Sequence, residues 1–256
     1  MPSATKANGV EKPTLSGQVA RVADRDPHFD NSDLGLLRPG KVPYGLEQTY
    51  VAANGNRAEY LEKTKDLTYM ERHCVFFDGT LSGVVRPIDT FKGFYALGFG
   101  VILSVAAIFI VHSAFAYPTQ PTKGRKATWR ELIPDPTFNI HIGNINRCKH
   151  GSDTESYDRR GNFQENKFLT ILDDYSSKVG RDALSFSDIC VMLYGRRNLM
   201  DAFGIFAFIF EWGSSYMLVW PADGYMKRED IDGLLNGAIF VDLAHNRHKK
   251  GAFVAK

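Results

Sequence analysis

The sequence predicts a mainly α-helical protein of EF-hand-like helix–loop–helix units, one a recognisable calcium loop and the others degenerate, with an apolar membrane-embedding helix. Three observations carry that reading. A twelve-residue loop frame at 78–89 follows a stretch with helical periodicity, an uncharged run fills 93–122, and two further turn-glycine frames lie downstream.

Bulk composition sets outer bounds. The 256 residues are 44% hydrophobic and 23% charged, which suits one or two compact domains rather than a fibrous or disordered chain. A net charge of +2 leaves no general basic field, so nucleic acid is not an expected partner. Cys74, Cys148 and Cys190 have no zinc or CxxC spacing and cannot all pair with one another, which points to a reducing, cytosol-facing compartment and to cysteines used as small buried hydrophobes.

In chain order, residues 1–53 are polar, rich in Gly, Pro and Asn, and lack the apolar core of a secretory signal; they are expected to be a mobile tail. An EF-hand segment at 54–92 follows. From Arg57 to Phe77 there is no Gly or Pro, and Met70, His73, Cys74 and Phe77 recur at three- and four-residue intervals, as on one face of an entering helix. Asp78 then opens the loop, with Thr80 at position 3, Ser82 at 5, Gly83 at 6, Val84 at 7, Val85 at 8 and Asp89 at 12. Gly83 supplies the sharp turn, Val84 a backbone carbonyl and Val85 the apolar bridge to a partner loop. Hydroxyls at positions 3 and 5 and the short Asp89 at 12 leave two carboxylates to balance a cation, so binding is expected at the weak end for calcium, with magnesium a competitor.

The apolar segment, 93–122, has its centre at Phe94 to Tyr117, longer than the roughly 20 residues a helix needs to cross a bilayer core. Phe94, Tyr95 and Tyr117 at its ends, then Lys123, Arg125, Lys126 and Arg130, suit a headgroup interface. A spanning helix and a one-sided insertion broken by Pro118 and Pro121 both fit; the second is favoured, with His112 held near the surface.

The remainder, 123–256, is expected to be a helical domain. Phe138, Ile140 and Ile142 alternate with Asn139, His141 and Gly143, a short strand signal. Degenerate loop frames follow at 156–167, where Lys167 at position 12 excludes ordinary calcium ligation, and at 219–230, with Gly224 and Met226 at positions 6 and 8. Helices are expected at Glu165 to Asp174, at Ser187 to Tyr194 behind a Ser185 cap, and at Leu199 to Trp212, the last as core or as a second lipid-contacting helix.

The stretches "ERHCVFFDGTLSGVVRPIDTFKGFYALGFG", "CKHGSDTESYDRRGNF" and "DGLLNGAIF" resemble the caleosin family of lipid-droplet proteins over about Leu67 to Phe240, the KHGSD box being the most specific. The resemblance implies one calcium-binding EF-hand, embedding in the lipid-droplet surface or the cytosolic face of the endoplasmic reticulum membrane, and haem b. It also implies a peroxygenase that moves oxygen from fatty-acid hydroperoxides to unsaturated lipids. The family's two haem histidines fall on His73 and His150, which are assigned jointly as proximal ligand and distal acid/base. Lys149 and Asp153 beside His150 read as solvated charge or as its orienting groups. The loop departs from the family at Thr80, Ser82 and Asp89, where acids are usual, and Asn146 stands where many plant relatives have a histidine. Rival readings are a non-enzymatic calcium-binding coat of lipid droplets and a single-pass calcium sensor; self-association as a homo-oligomer stays open.

Overall fold

The computed structural model describes residues 57–78, 82–121, 129 and 133–249, with side chains through 246. The expected tail at 1–53, Thr80 and the cations Lys123, Arg125, Lys126 and Arg130 lie outside the described residues. Within them the protein is mainly helical, with four short strands in two antiparallel pairs.

The stretch expected as one entering helix is two, α1 (Arg57–Lys63) and α2 (Tyr69–Val75). Thr68 starts α2: its hydroxyl accepts from Glu71 N at 3.3 Å, while the Glu71 carboxylate takes Thr68 N at 2.8 Å. Two otherwise orphaned N–H groups are satisfied by that reciprocal cap, so a new helix begins there. The Thr-x-x-Glu signal lies within the uninterrupted helical periodicity that suggested a single element.

Past α2, Gly83 adopts φ +79°, the turn conformation expected of position 6. Strand β1 (Val84–Val85) pairs with β2 (Ile140–His141), Val85 opposite Ile140. The strand signal after Phe138 is thus real but ends after two residues, passing into a 3-10 helix at Ile142–Cys148. Helix α3 (Pro87–Ala96) starts with Pro at its first turn and Asp89 at its third position, the carboxylate accepting from Arg86 N at 3.1 Å.

The uncharged run is not one helix. Its start belongs to α3, the chain turns through Leu97 to Gly100 with Gly98 at φ +88°, and α4 (Val101–Thr119) packs back on α3. The sequence boundary at 92/93 therefore falls inside α3. Pro118 does not break α4 but sits in its last turn, and the helix ends before Pro121. His112 is buried within the protein: its Nδ1 donates to the Phe138 carbonyl at 2.6 Å and its Nε2 accepts from the Thr90 hydroxyl at 2.8 Å. It ties α4 to α3 and to the approach of β2.

The C-terminal half holds α5 (Glu165–Tyr175), β3 (Ala183–Ser185), α6 (Phe186–Gly195), α7 (Ala202–Val219), β4 (Tyr225–Lys227), α8 (Arg228–Leu235) and α9 (Ala238–Lys249). Ser185 caps α6, accepting from Asp188 N at 3.1 Å, as its position suggested. Helix α7 starts later than expected, because Asp201 caps it through Gly204 N at 2.7 Å, and continues to Val219. The frame at 219–230 has a partner the sequence reading missed, since Met226 pairs with Leu184 and both are fully buried. The frame at 156–167 closes on itself, Tyr157 bridging to Phe163 around Gly161 at φ +85°. One core joins both halves, with Phe76, Ile142, Leu184, Phe208, Met226 and Ile231 in a single buried cluster.

Candidate active site

A mostly apolar cavity of about 270 Å³ lies between α2, the segment 148–157, α4, α7 and α8, and both His73 and His150 line it. Such a lining with few polar groups is the usual form of a small-molecule site. Two residues 77 positions apart in the chain are brought to one space.

His73 comes from α2, whose position is fixed by the cap at Thr68 and by α8 packed beside it. Its Nδ1 lies 2.8 Å from the Leu234 carbonyl. A carbonyl only accepts, so Nδ1 carries the proton and Nε2 keeps its lone pair. Burial holds the imidazolium form down, outweighing the Leu234 bond and the charge of Glu211, so the ring stays neutral below the usual histidine range. A neutral ring with one nitrogen committed to a carbonyl is the form in which histidine ligates metals. Leu235, next along, accepts the Tyr157 hydroxyl at 2.7 Å. The last turn of α8 thus spends two carbonyls on the cavity wall, using groups that a helix end leaves over. Gly237, at φ +76°, lets that turn approach: a Cβ there would lie 2.9 Å from both the Arg72 carbonyl oxygen and His73 Cα.

His150 has a different setting. Its Nε2 is 3.4 Å from Glu211 Oε1, a long contact, and its Nδ1 is buried without a partner among the described residues. Burial disfavours its charged form, but the Glu211 carboxylate, then Asp153 and Asp201, outweigh that and raise its pKa. Lys149 and Asp153 are not merely solvated: their ion pair at 2.6 Å lies in the cavity wall, with side chains about a fifth exposed.

Sequence reading missed Glu211. It is the sole Asp, Glu, Lys or Arg between Ala202 and Val219, and an isolated acid in so long an apolar helix was the available signal. It lies one turn beyond Ala207 and seven residues before Leu218, on the cavity side of the helix, with its side chain still about half exposed. Its charge also acts on His73 and Tyr157. Cys74 and Cys148 line the same cavity and are half-buried, with burial pushing the Cys148 thiol up to about 12; Cys190 is exposed, against expectation.

In the loop after α2, Asp78 is buried and its Oδ2 accepts from Gly83 N at 2.6 Å, while Ser82 Oγ lies 3.4 Å from Oδ1. Ser82 also contacts the Val84 carbonyl at 3.3 Å. Asp78, Ser82 and Val84 are therefore one cluster. Asp89 is buried as the cap of α3, with an Arg86 guanidinium nitrogen 3.9 Å away. No group of three or more His, Cys, Asp or Glu suited to a metal occurs among the described residues.

With this geometry in view, the family model for caleosin related protein matches residues 65–244. The chain belongs to the caleosin family. This caleosin is 38% identical to a peroxygenase of Lilium longiflorum over 189 residues, 74% of this chain and 75% of the relative. It is 31% identical to "Probable peroxygenase 4" of Arabidopsis thaliana over 71% of this chain and 88% of that one. A third relative, a "Probable inactive peroxygenase-like protein" of Arabidopsis thaliana, is 23% identical over 72% of this chain and 83% of its own length. No solved structure matches the caleosin chain.

Proposed function

We propose that this caleosin is a haem-dependent peroxygenase of lipid droplets and the cytosolic face of the endoplasmic reticulum membrane. Its oxygen donors are fatty-acid hydroperoxides and its acceptors unsaturated lipids. The observation that carries the reading is the convergence of His73 and His150 on one apolar cavity. Two relatives at 38% and 31% identity carry peroxygenase in their names.

The residues present suit haem b. His73 offers Nε2 with its other nitrogen held by Leu234, the aromatic and aliphatic walls suit a porphyrin face, and His150 keeps an unpartnered buried nitrogen on the same cavity. Haem, when bound, supplies the redox chemistry through which one peroxide oxygen passes. The chain's own work is on the proton. In the net reaction, hydroperoxide ROOH and acceptor S become ROH and SO: the peroxide is reduced by two electrons and the acceptor oxidised by two. The peroxide proton must leave one oxygen and return to the oxygen that departs with R. His150, backed by Glu211, is the group suited to take and return it, which gives His73 the ligand role.

Calcium belongs to the proposal as a weakly held cation, with Asp78, Thr80, Ser82, Val84 and Asp89 as its ligands. Asp78 follows His73 by five residues, so a cation there would stiffen the end of α2. Purified protein reconstituted with haem should show a Soret band and reduce fatty-acid hydroperoxides; His73→Val should lose both, and His150→Val should lose turnover with the band retained. Absence of a Soret band in the parent protein would leave the droplet-coat reading instead.

A further inference from the structure

We propose that α7 is a second lipid-inserted element, and that the cavity mouth opens between α4 and α7 into hydrocarbon rather than water. The inference rests on the reading that α4 embeds. It adds an entry route and assigns the outer face of α7 to lipid contact, its inner face remaining in the core.

Helix α7 is two-sided without being amphipathic. Phe203, Phe206, Ile209 and Met217 stand half exposed on one face, while Gly204, Ala207, Phe208 and Leu218 are buried on the other. Both faces are apolar, and the one acid, Glu211, lines the cavity with its side chain about half exposed. In water the outer face would leave four large hydrophobic side chains unpartnered, together with Leu199 and Met200 just before the helix, which are 73% and 94% exposed. Eighteen residues give about 27 Å of helix, close to a bilayer's apolar thickness of about 30 Å. The ends carry interfacial chemistry: Arg197 lies over the Tyr194 ring at 3.6 Å before the helix, and exposed Trp220 follows it.

Continuity with α4 identifies the occupant. That helix also turns an apolar face outward, through Ile102, Phe109 and Tyr117, spaced seven and eight residues apart. Between the two helices lies the cavity. Phe203 and Phe206 are half exposed and line the cavity from α7, and Ile110 and Ala114 line it from α4. A rim of that composition, joined on each side to an exposed apolar face, admits a fatty chain from a lipid layer without wetting it. The polar groups that meet the chain, His150 and the half-exposed Glu211, line the same cavity.

Site-directed fluorescence tests this in a Cys190→Ser background, which removes the exposed native thiol. Phe206→Cys, Phe109→Cys and Lys167→Cys are each labelled with an environment-sensitive dye in the full chain. Each is bound to phosphatidylcholine vesicles, with and without doxyl-labelled acyl chains. The expected result is a blue shift and quenching at 206 and 109 and neither at 167. Quenching at 109 with none at 206 overturns the second insertion and leaves α4 embedded; quenching at neither overturns the embedding reading itself. A second arm uses Ile209→Asp, outside the cavity and exposed, so the fold tolerates it. Turnover of a hydroperoxide dissolved in phospholipid-coated triolein droplets should fall about tenfold or more, with turnover of a small water-soluble hydroperoxide unchanged. Equal turnover of both by parent and variant sinks the proposal.

Discussion

The two apolar helices handle their polar groups in opposite ways. On α4, every inward polar side chain is closed: Ser104 bonds the Phe99 carbonyl, Thr119 the Phe115 carbonyl, and His112 has both ring nitrogens occupied. On α7, Glu211 faces a cavity and meets a histidine that still has a vacant nitrogen. An ionisable residue in an apolar helix is therefore not a functional group by its presence alone. His112 satisfies its hydrogen bonds within the fold and becomes a fastener; Glu211 makes a long contact to His150 on the cavity wall, as the proposed site requires.

The sidedness of α7 gives the largest effect. Phe208 is 2% exposed and Phe206 52%, two positions apart on one helix. Phe208→Ala should destabilise the protein in detergent by about 3–5 kcal/mol, as for a buried ring replaced by a cavity. Phe206→Ala should change stability by less than about 0.5 kcal/mol under the same conditions. Equal losses in chemical unfolding would mean that the outer face packs on protein.

Next comes the contrast between the two polar groups. Glu211→Gln keeps shape and removes charge, so turnover with haem bound should fall about 10²-fold, the usual contribution of a proton-handling group. In haem-free protein the His150 titration, followed by NMR, should move down, because the carboxylate that raises it is gone. His112→Ala should do the reverse: lose about 2 kcal/mol of stability as the Phe138 carbonyl loses its donor, with turnover per folded molecule unchanged. Should His112→Ala lower turnover and Glu211→Gln only stability, the assignments are exchanged.

How much of this was legible follows from what is local. The turn at Gly83, the Ser185 cap and the family boxes depend on neighbours within a few residues, and reading them in order placed them well. The break at Thr64 to Thr68 was equally local but hidden under uninterrupted periodicity. The two strand pairings were not readable, since Val85 and Ile140, or Leu184 and Met226, meet only through the fold. Likewise His73 and His150 were linked by resemblance, whereas their shared cavity and the Leu234 carbonyl that sets the His73 tautomer needed tertiary structure. Glu211 was visible as an oddity, and what it touches was not.

The smallest effect separates a fixed hydrogen bond from a titrating one. Tyr157 donates to the Leu235 carbonyl one residue from the bond that holds His73, and burial keeps its phenol protonated well beyond the ordinary tyrosine range. Tyr157→Phe should therefore cost about 1 kcal/mol of stability. That loss should be the same from about pH 6 to pH 9, since no ionisation of the phenol intervenes. The Glu211→Gln effect, acting through a histidine, should instead vary with pH over that interval. A Tyr157→Phe effect on turnover that follows pH would show that the phenol, not the Glu211 carboxylate, shares the proton with His150.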